Sequence, residues 1–94
     1  METQITFTKV GGKYVAEFAA SGNFALHIER AEAGAISLEM KSVQEGQYAV
    51  VGGEFLQKNR NALVIDEQVQ AVVFPVYVRV TSATQPSMAV VVTA

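Results

Sequence analysis

Hydrophobic and polar positions alternate with period two along most of this chain, and that alternation predicts strands. The richest stretch, residues 71–82 (AVVFPVYVRVTS), sets Phe74, Val76, Val78 and Val80 on one face and Pro75, Tyr77, Arg79 and Thr81 on the other. β-Branched and aromatic residues suit a pleated, half-buried surface, so this is read as a core strand that the remaining elements cover. Residues 4–10 predict a first strand, with Ile5 and Phe7 opposite Thr6 and Thr8. Gly11 and Gly12 then supply the two positive-φ positions of a two-residue hairpin. Residues 14–20 return with Tyr14, Ala16, Phe18 and Ala20 on one face, and residues 23–30 set Phe24, Leu26 and Ile28 against Ala25, His27 and Glu29. Residues 35–42 carry Ile36, Leu38 and Met40 inward. Residues 47–51 and 62–66 are shorter strands, and residues 88–93 are the last.

Between these runs the alternation stops. Residues 29–34 (ERAEAG) have helix-forming composition, but so short a helix ending at Gly34 is marginal, and the segment is read as a turn. Gly52 and Gly53 break the fifth strand, and residues 52–61 hold the most polar run of the protein, QKNRN, expected as a long loop. The last two strands are expected to pair as a hairpin. With Thr81 opposite Ser87, the residues Val76, Val78 and Val80 share a face with Met88, Val90 and Val92. Tyr77 and Arg79 then share the other with Ala89 and Val91, and a one-residue slip would exchange the faces. Pro75 cannot donate to a ladder, so it belongs at a bulge or where its nitrogen faces no partner. Short strands separated by turn signals at about ten-residue intervals predict one all-β domain over residues 1–94. The expected architecture is a single antiparallel β-sandwich of about eight strands, jelly-roll or immunoglobulin-like.

Composition adds a constraint on partners. Of the 94 residues, 50% are hydrophobic and 17% charged. A domain this small has one core and buries less apolar surface than that, so a homo-oligomer or a larger protein assembly is expected. A net charge of −2, with seven basic residues scattered singly, argues against a nucleic-acid partner. The absence of cysteine excludes disulfides and thiolate metal sites. METQITFTKV lacks the order of a signal peptide, and the longest apolar run, residues 71–78, falls short of the ~20 residues that span a bilayer. No membrane partner is expected, and the cytoplasm is the plain location.

Candidate chemistry is sparse. His27 lies two residues from Glu29 on a polar strand face, where Glu17 and Glu39 would join it if their strands were adjacent. A metal or acid–base site needs such a second group within reach; cross-strand charge pairing on a solvated face is the other reading. No serine sits in a nucleophile elbow, and neither glycine pair precedes a helix or a GK[ST] sequence. Asp66 is the sole aspartate, which leaves no calcium loop. No catalytic residue, metal ligand or cofactor is therefore named, and an enzyme is not expected. Two binding surfaces are. Tyr77, Arg79, Ala89, Val91 and Thr93 would form a subunit interface on the outer face of the final hairpin, since Tyr and Arg are enriched at interface hot spots; packing beneath the second sheet's loops is the alternative. A ligand loop would use Tyr48 and Phe55 as aromatic platforms for a sugar ring, with Gln57, Asn59 and Asn61 donating hydrogen bonds.

The closing segment FPVYVRVTSATQPSMAVVV resembles the ends of small all-β accessory proteins of tailed-phage virions. There a last hairpin carries an aromatic residue, an arginine flanked by hydrophobic residues, a Ser/Thr/Pro loop and a short apolar strand. Tyr77, Arg79, Val80, Thr81, Ser82, Thr84, Pro86, Val90, Val91 and Val92 carry the likeness, over about a quarter of the chain. The resemblance implies a non-enzymatic capsid or tail component, located in the virion and acting as a symmetric oligomer. It carries over no site residues. The function expected is thus a structural module that self-associates or docks on a larger assembly, with a glycan- or small-ligand-binding module as the alternative.

Overall fold

The computed structural model describes residues 1–32, 34–54, 62–65 and 74–93, with the course of the backbone alone for 52–54 and 62–65. Among these residues there is no helix. The strands are β1 (Glu2–Gln4), β2 (Thr8–Val10), β3 (Lys13–Ala20), β4 (Phe24–Arg30), β5 (Ile36–Lys41), β6 (Ala49–Glu54), β7 (Ala62–Ile65), β8 (Val76–Ser82) and β9 (Pro86–Thr93). They form a four-stranded sheet in the order β1-β9-β4-β7 and a five-stranded sheet in the order β2-β3-β8-β5-β6.

Every pairing is antiparallel, and four of the pairs nest. β5 pairs with β6, β4 with β7, β3 with β8, and β1 with β9. The chain is thus one long antiparallel ribbon, turned back between β5 and β6 and then rolled. The roll brings β9 beside β4 and β8 beside β5. Two sheets built this way are a jelly roll.

The fold departs from the predicted segments in three places. β8 and β9 do not pair as a hairpin: β8 lies between β3 and β5, and β9 lies between β1 and β4 in the opposite sheet. Stacking rather than pairing sets Val76, Val78 and Val80 across the core from Ala89 and Val91, so both apolar rows are buried. The first predicted strand is divided, with β1 in one sheet and β2 in the other. Ile5 and Phe7 pack against the core at the changeover, and the Ile5 amide donates to the Ala89 carbonyl at 3.0 Å. β6 runs through Gly52 and Gly53 to Glu54 instead of stopping there, with a register irregularity opposite residues 37–39. Glycine is tolerated in a strand at such a bulge.

Other expectations hold. Gly11 and Gly12 turn β2 into β3 with φ of 57° and 82°, and Val10 faces Lys13 across the hairpin. Pro75 sits just before β8, where its missing N–H costs the ladder nothing.

The core lies between the sheets. Phe24, Leu26 and Ile28 of β4 meet Ile36, Leu38 and Met40 of β5 and the β8 valines. Phe18 packs edge-on to Phe24, with ring centroids 5.3 Å apart. Fully burying each such aliphatic side chain stabilises the fold by about 1.5–3 kcal/mol. One end is closed by a polar staple. Arg30, 2% exposed, donates from Nη1 to the Gly34 carbonyl at 2.8 Å and to Ser82 Oγ at 3.5 Å. Burial draws its pKa below the ordinary arginine value. Ser82 Oγ donates to the Thr84 carbonyl, and Thr84 Oγ1 donates to the Glu32 carbonyl at 2.6 Å.

Candidate functional site

Strand alternation sends Tyr77, Arg79 and Thr81 away from the core, while Val76, Val78 and Val80 fill it. Because β8 is flanked on both sides, each outward residue has two cross-strand neighbours. Arg79 stands between Glu17 of β3 and Glu39 of β5; Tyr77 stands between Ala19 and Lys41; Thr81 stands between Val15 and Ser37. Directly opposed side chains start only about 4.5–5.5 Å apart at Cβ, close enough for the guanidinium to reach either acid.

It grips Glu39. Arg79 Nε donates to Glu39 Oε2 at 2.7 Å, and Nη2 donates to Oε1 at 2.8 Å, a two-pronged pairing that fixes both planes. Thr81 Oγ1 adds a longer bond to Oε2 at 3.4 Å. Tyr48, from the segment leading into β6, lies over this pair with its ring centroid 4.4 Å from the guanidinium carbon. Lys41 Nζ lies 4.5 Å from the same centroid and 5.9 Å from that of Tyr77. The ammonium also donates to the carbonyls of Gln44 at 2.8 Å and Gly46 at 3.3 Å, tying the β5–β6 turn to the patch.

The charges in this patch are matched. The hydrogen bond from Arg79 holds the Glu39 carboxyl below the usual carboxylate range, and the same bond raises Arg79. Burial pushes the Tyr48 phenol up, and the nearby Glu17 carboxylate adds to that rise. These shifts all favour the protonation states that neutral pH already provides. The arrangement therefore holds its charges fixed in one shape. Exposed valines stand at both rims: Val10 on β2 is 59% exposed, and Val50, opposite Glu39 on β6, is 57% exposed.

The expected interface residues are divided between the sheets. Tyr77 and Arg79 lie in this patch, half-buried. Ala89 and Val91 are buried in the core, and Thr93 pairs with Phe24 in the four-stranded sheet. The separation follows from the crossing between β8 and β9, which removes the shared outer face that a hairpin would have made. Of the expected ligand loop, Tyr48 belongs to the patch just described, whereas Phe55, Gln57, Asn59 and Asn61 lie outside the described residues. Glu39, Lys41 and Glu17 complete the patch without having been singled out with it. Their outward positions follow from alternation, but their neighbours depend on strand order.

His27 lies on the outer face of the other sheet, with Nε2 2.8 Å from Glu29 Oε2. Glu17 and Glu39 belong to the five-stranded sheet and do not join it. Register sets His27 opposite Val90, and Glu29 opposite Met88. Among the described residues no group of three or more His, Cys, Asp or Glu is placed to hold a metal ion, and no helix is long and apolar enough to cross a membrane. Comparison with protein-family models, curated proteins and solved structures finds no match to this chain.

Proposed function

We propose that this chain is a non-enzymatic structural module that associates with further copies of itself, as part of a larger assembly, through the outer face of its five-stranded sheet. The observation that carries the reading is the patch of Tyr48, Tyr77 and Arg79, held in one arrangement by Glu39 and Lys41 on that face. Tyrosine and arginine dominate interface hot spots. A side chain already fixed by its neighbours avoids the roughly 0.5–1.5 kcal/mol that ordering it on association would cost. The valines at the rims supply apolar area around the polar centre. A place in a virion is proposed on two grounds: the likeness of the closing segment, and the use of jelly rolls in viral capsid domains, which is an analogy of fold alone.

Static light scattering and sedimentation at micromolar concentration test the reading. A defined oligomer is expected, and Tyr77→Glu or Val50→Glu should return it to monomer while leaving the melting temperature near that of the parent. A parent chain that stays monomeric overturns the proposal, as does an oligomer indifferent to both substitutions. The glycan alternative gains nothing from Tyr48, since its ring is already engaged by Lys41 and Arg79.

A further inference from the structure

The end of the roll where β8 crosses to β9 carries an open groove of about 650 Å³ whose walls include Tyr14, Glu32, Ala83, Gln85, Pro86 and Ser87. A second hollow of about 250 Å³ shares Gln85, Pro86 and Ser87 with it and is also lined by Gln4 and Thr6. The larger falls in the size range of small-molecule sites.

The walls are held firmly. Ala83 N donates to the Ala35 carbonyl at 2.8 Å, Thr84 Oγ1 donates to the Glu32 carbonyl at 2.6 Å, and Ser87 Oγ donates to the Glu29 carbonyl at 3.2 Å. Buried Arg30 fastens the Gly34 carbonyl on the opposing loop. The two loops touch so closely that a Cβ at Gly34 would come within 3.1 Å of Thr84 Cγ2. These bonds occupy the hydroxyls of Thr84 and Ser87. The Glu32 carboxylate, the Gln85 carboxamide and the Tyr14 phenol make no side-chain hydrogen bond or ion pair among the described residues, and all three border the larger groove.

That set of groups selects a ligand class. Among the described residues, Glu32 is the only charged one lining the larger groove, so an anion is repelled. The apolar contribution is confined to two alanines, a proline and one tyrosine ring, too little for a greasy ligand. A carboxylate and a carboxamide beside an aromatic ring complement adjacent hydroxyl groups, each of which donates and accepts, on a neutral carbon frame. We propose that this groove binds a neutral oligosaccharide, with Glu32 and Gln85 taking its hydroxyls, Tyr14 packing on a sugar ring, and the chain continuing past Gln85 into the second hollow. The groove shares no residue with the outer-face patch, so the two readings stand or fall separately.

The test is binding of the full chain to an array of neutral gluco-, galacto- and manno-oligosaccharides, followed by calorimetric titration of the best binder. Glu32→Gln and Gln85→Ala should each weaken that binding about tenfold or more, as loss of one hydrogen bond implies. Thermal unfolding should stay within a few degrees of the parent, and Tyr48→Ala should leave binding unchanged. Silence across the neutral array overturns the proposal. So does a bound sugar whose affinity survives both groove substitutions, or one lost with Tyr48→Ala.

Discussion

Arg79 is the residue on which the outer face turns, and its position is a consequence of period two. Two places from Tyr77 and two from Thr81, it must leave the core where Val78 and Val80 enter it. Alternation made that much legible in the chain alone. What alternation does not contain is the identity of the strands on either side, so the fork onto Glu39 and the ring of Tyr48 above it came only with the fold. The pair has a pH signature. Its carboxyl titrates below its unfolded value because Arg79 hydrogen-bonds the charged form. Its contribution is therefore present above the ordinary glutamate pKa of 4.5 and is lost as pH falls through the depressed one. Glu39 is 16% exposed and Arg79 35%, which leaves water to screen part of the attraction. Glu39→Gln should therefore cost about 1–2 kcal/mol at pH 7. At pH 3 the difference should shrink, because below the ordinary glutamate pKa the unfolded carboxyl is protonated and the parent gains less on folding from ionising it against Arg79. Urea unfolding of both proteins at the two pH values measures it; an equal gap at both would show that the charge is not what matters.

At the scale of the element, faces were legible and partners were not. The apolar rows of β3, β4, β5 and β8 all point where period two puts them, and the Gly11–Gly12 turn has the dihedral angles that hairpin chemistry demands. β9 is the instructive case. A hairpin partner of β8 would present Ala89 and Val91 beside Tyr77 and Arg79, on a face open to association. The crossing strand instead turns those two residues into the core, 7% exposed each, and leaves Val92 outward at 37%. Adjacent positions on β9 therefore carry opposite expectations. Val91→Glu puts a carboxylate between the sheets and should cost more than about 4 kcal/mol, enough to unfold a domain of this size. Val92→Glu should be tolerated within about 1 kcal/mol, the roughly 0.5 kcal/mol of an ordinary surface change plus repulsion from Glu2 opposite it. Circular dichroism of the two purified variants separates the arrangements, since a β8–β9 hairpin predicts the reverse order of damage.

For the whole molecule, the nested ribbon explains both what could not be read and how the parts should differ in strength. Alternation is a local signal, whereas the pairings that define a jelly roll join positions as distant as Glu2 and Val92. Many rolled and unrolled arrangements satisfy the same alternation, and the choice among them is made by burying the apolar rows of both sheets at once. β8 has a partner on each side and three valines sealed in the core. β1 has three residues, all exposed, and lies at the end of its sheet's order. Local opening needs little free energy where few apolar contacts must break and approaches the global value where many must. Native-state hydrogen exchange should therefore find the amides of 78–81 opening only with global unfolding, and those of 2–4 opening at far lower cost. Because closing the outer pairs of the ribbon sacrifices chain entropy before any contact repays it, refolding should fall in the millisecond-to-second range of sandwich folds. Strand β8 protected no better than β1 would mean that the central strand is not what holds the sheets together, and that the roll is kept closed from its edges instead.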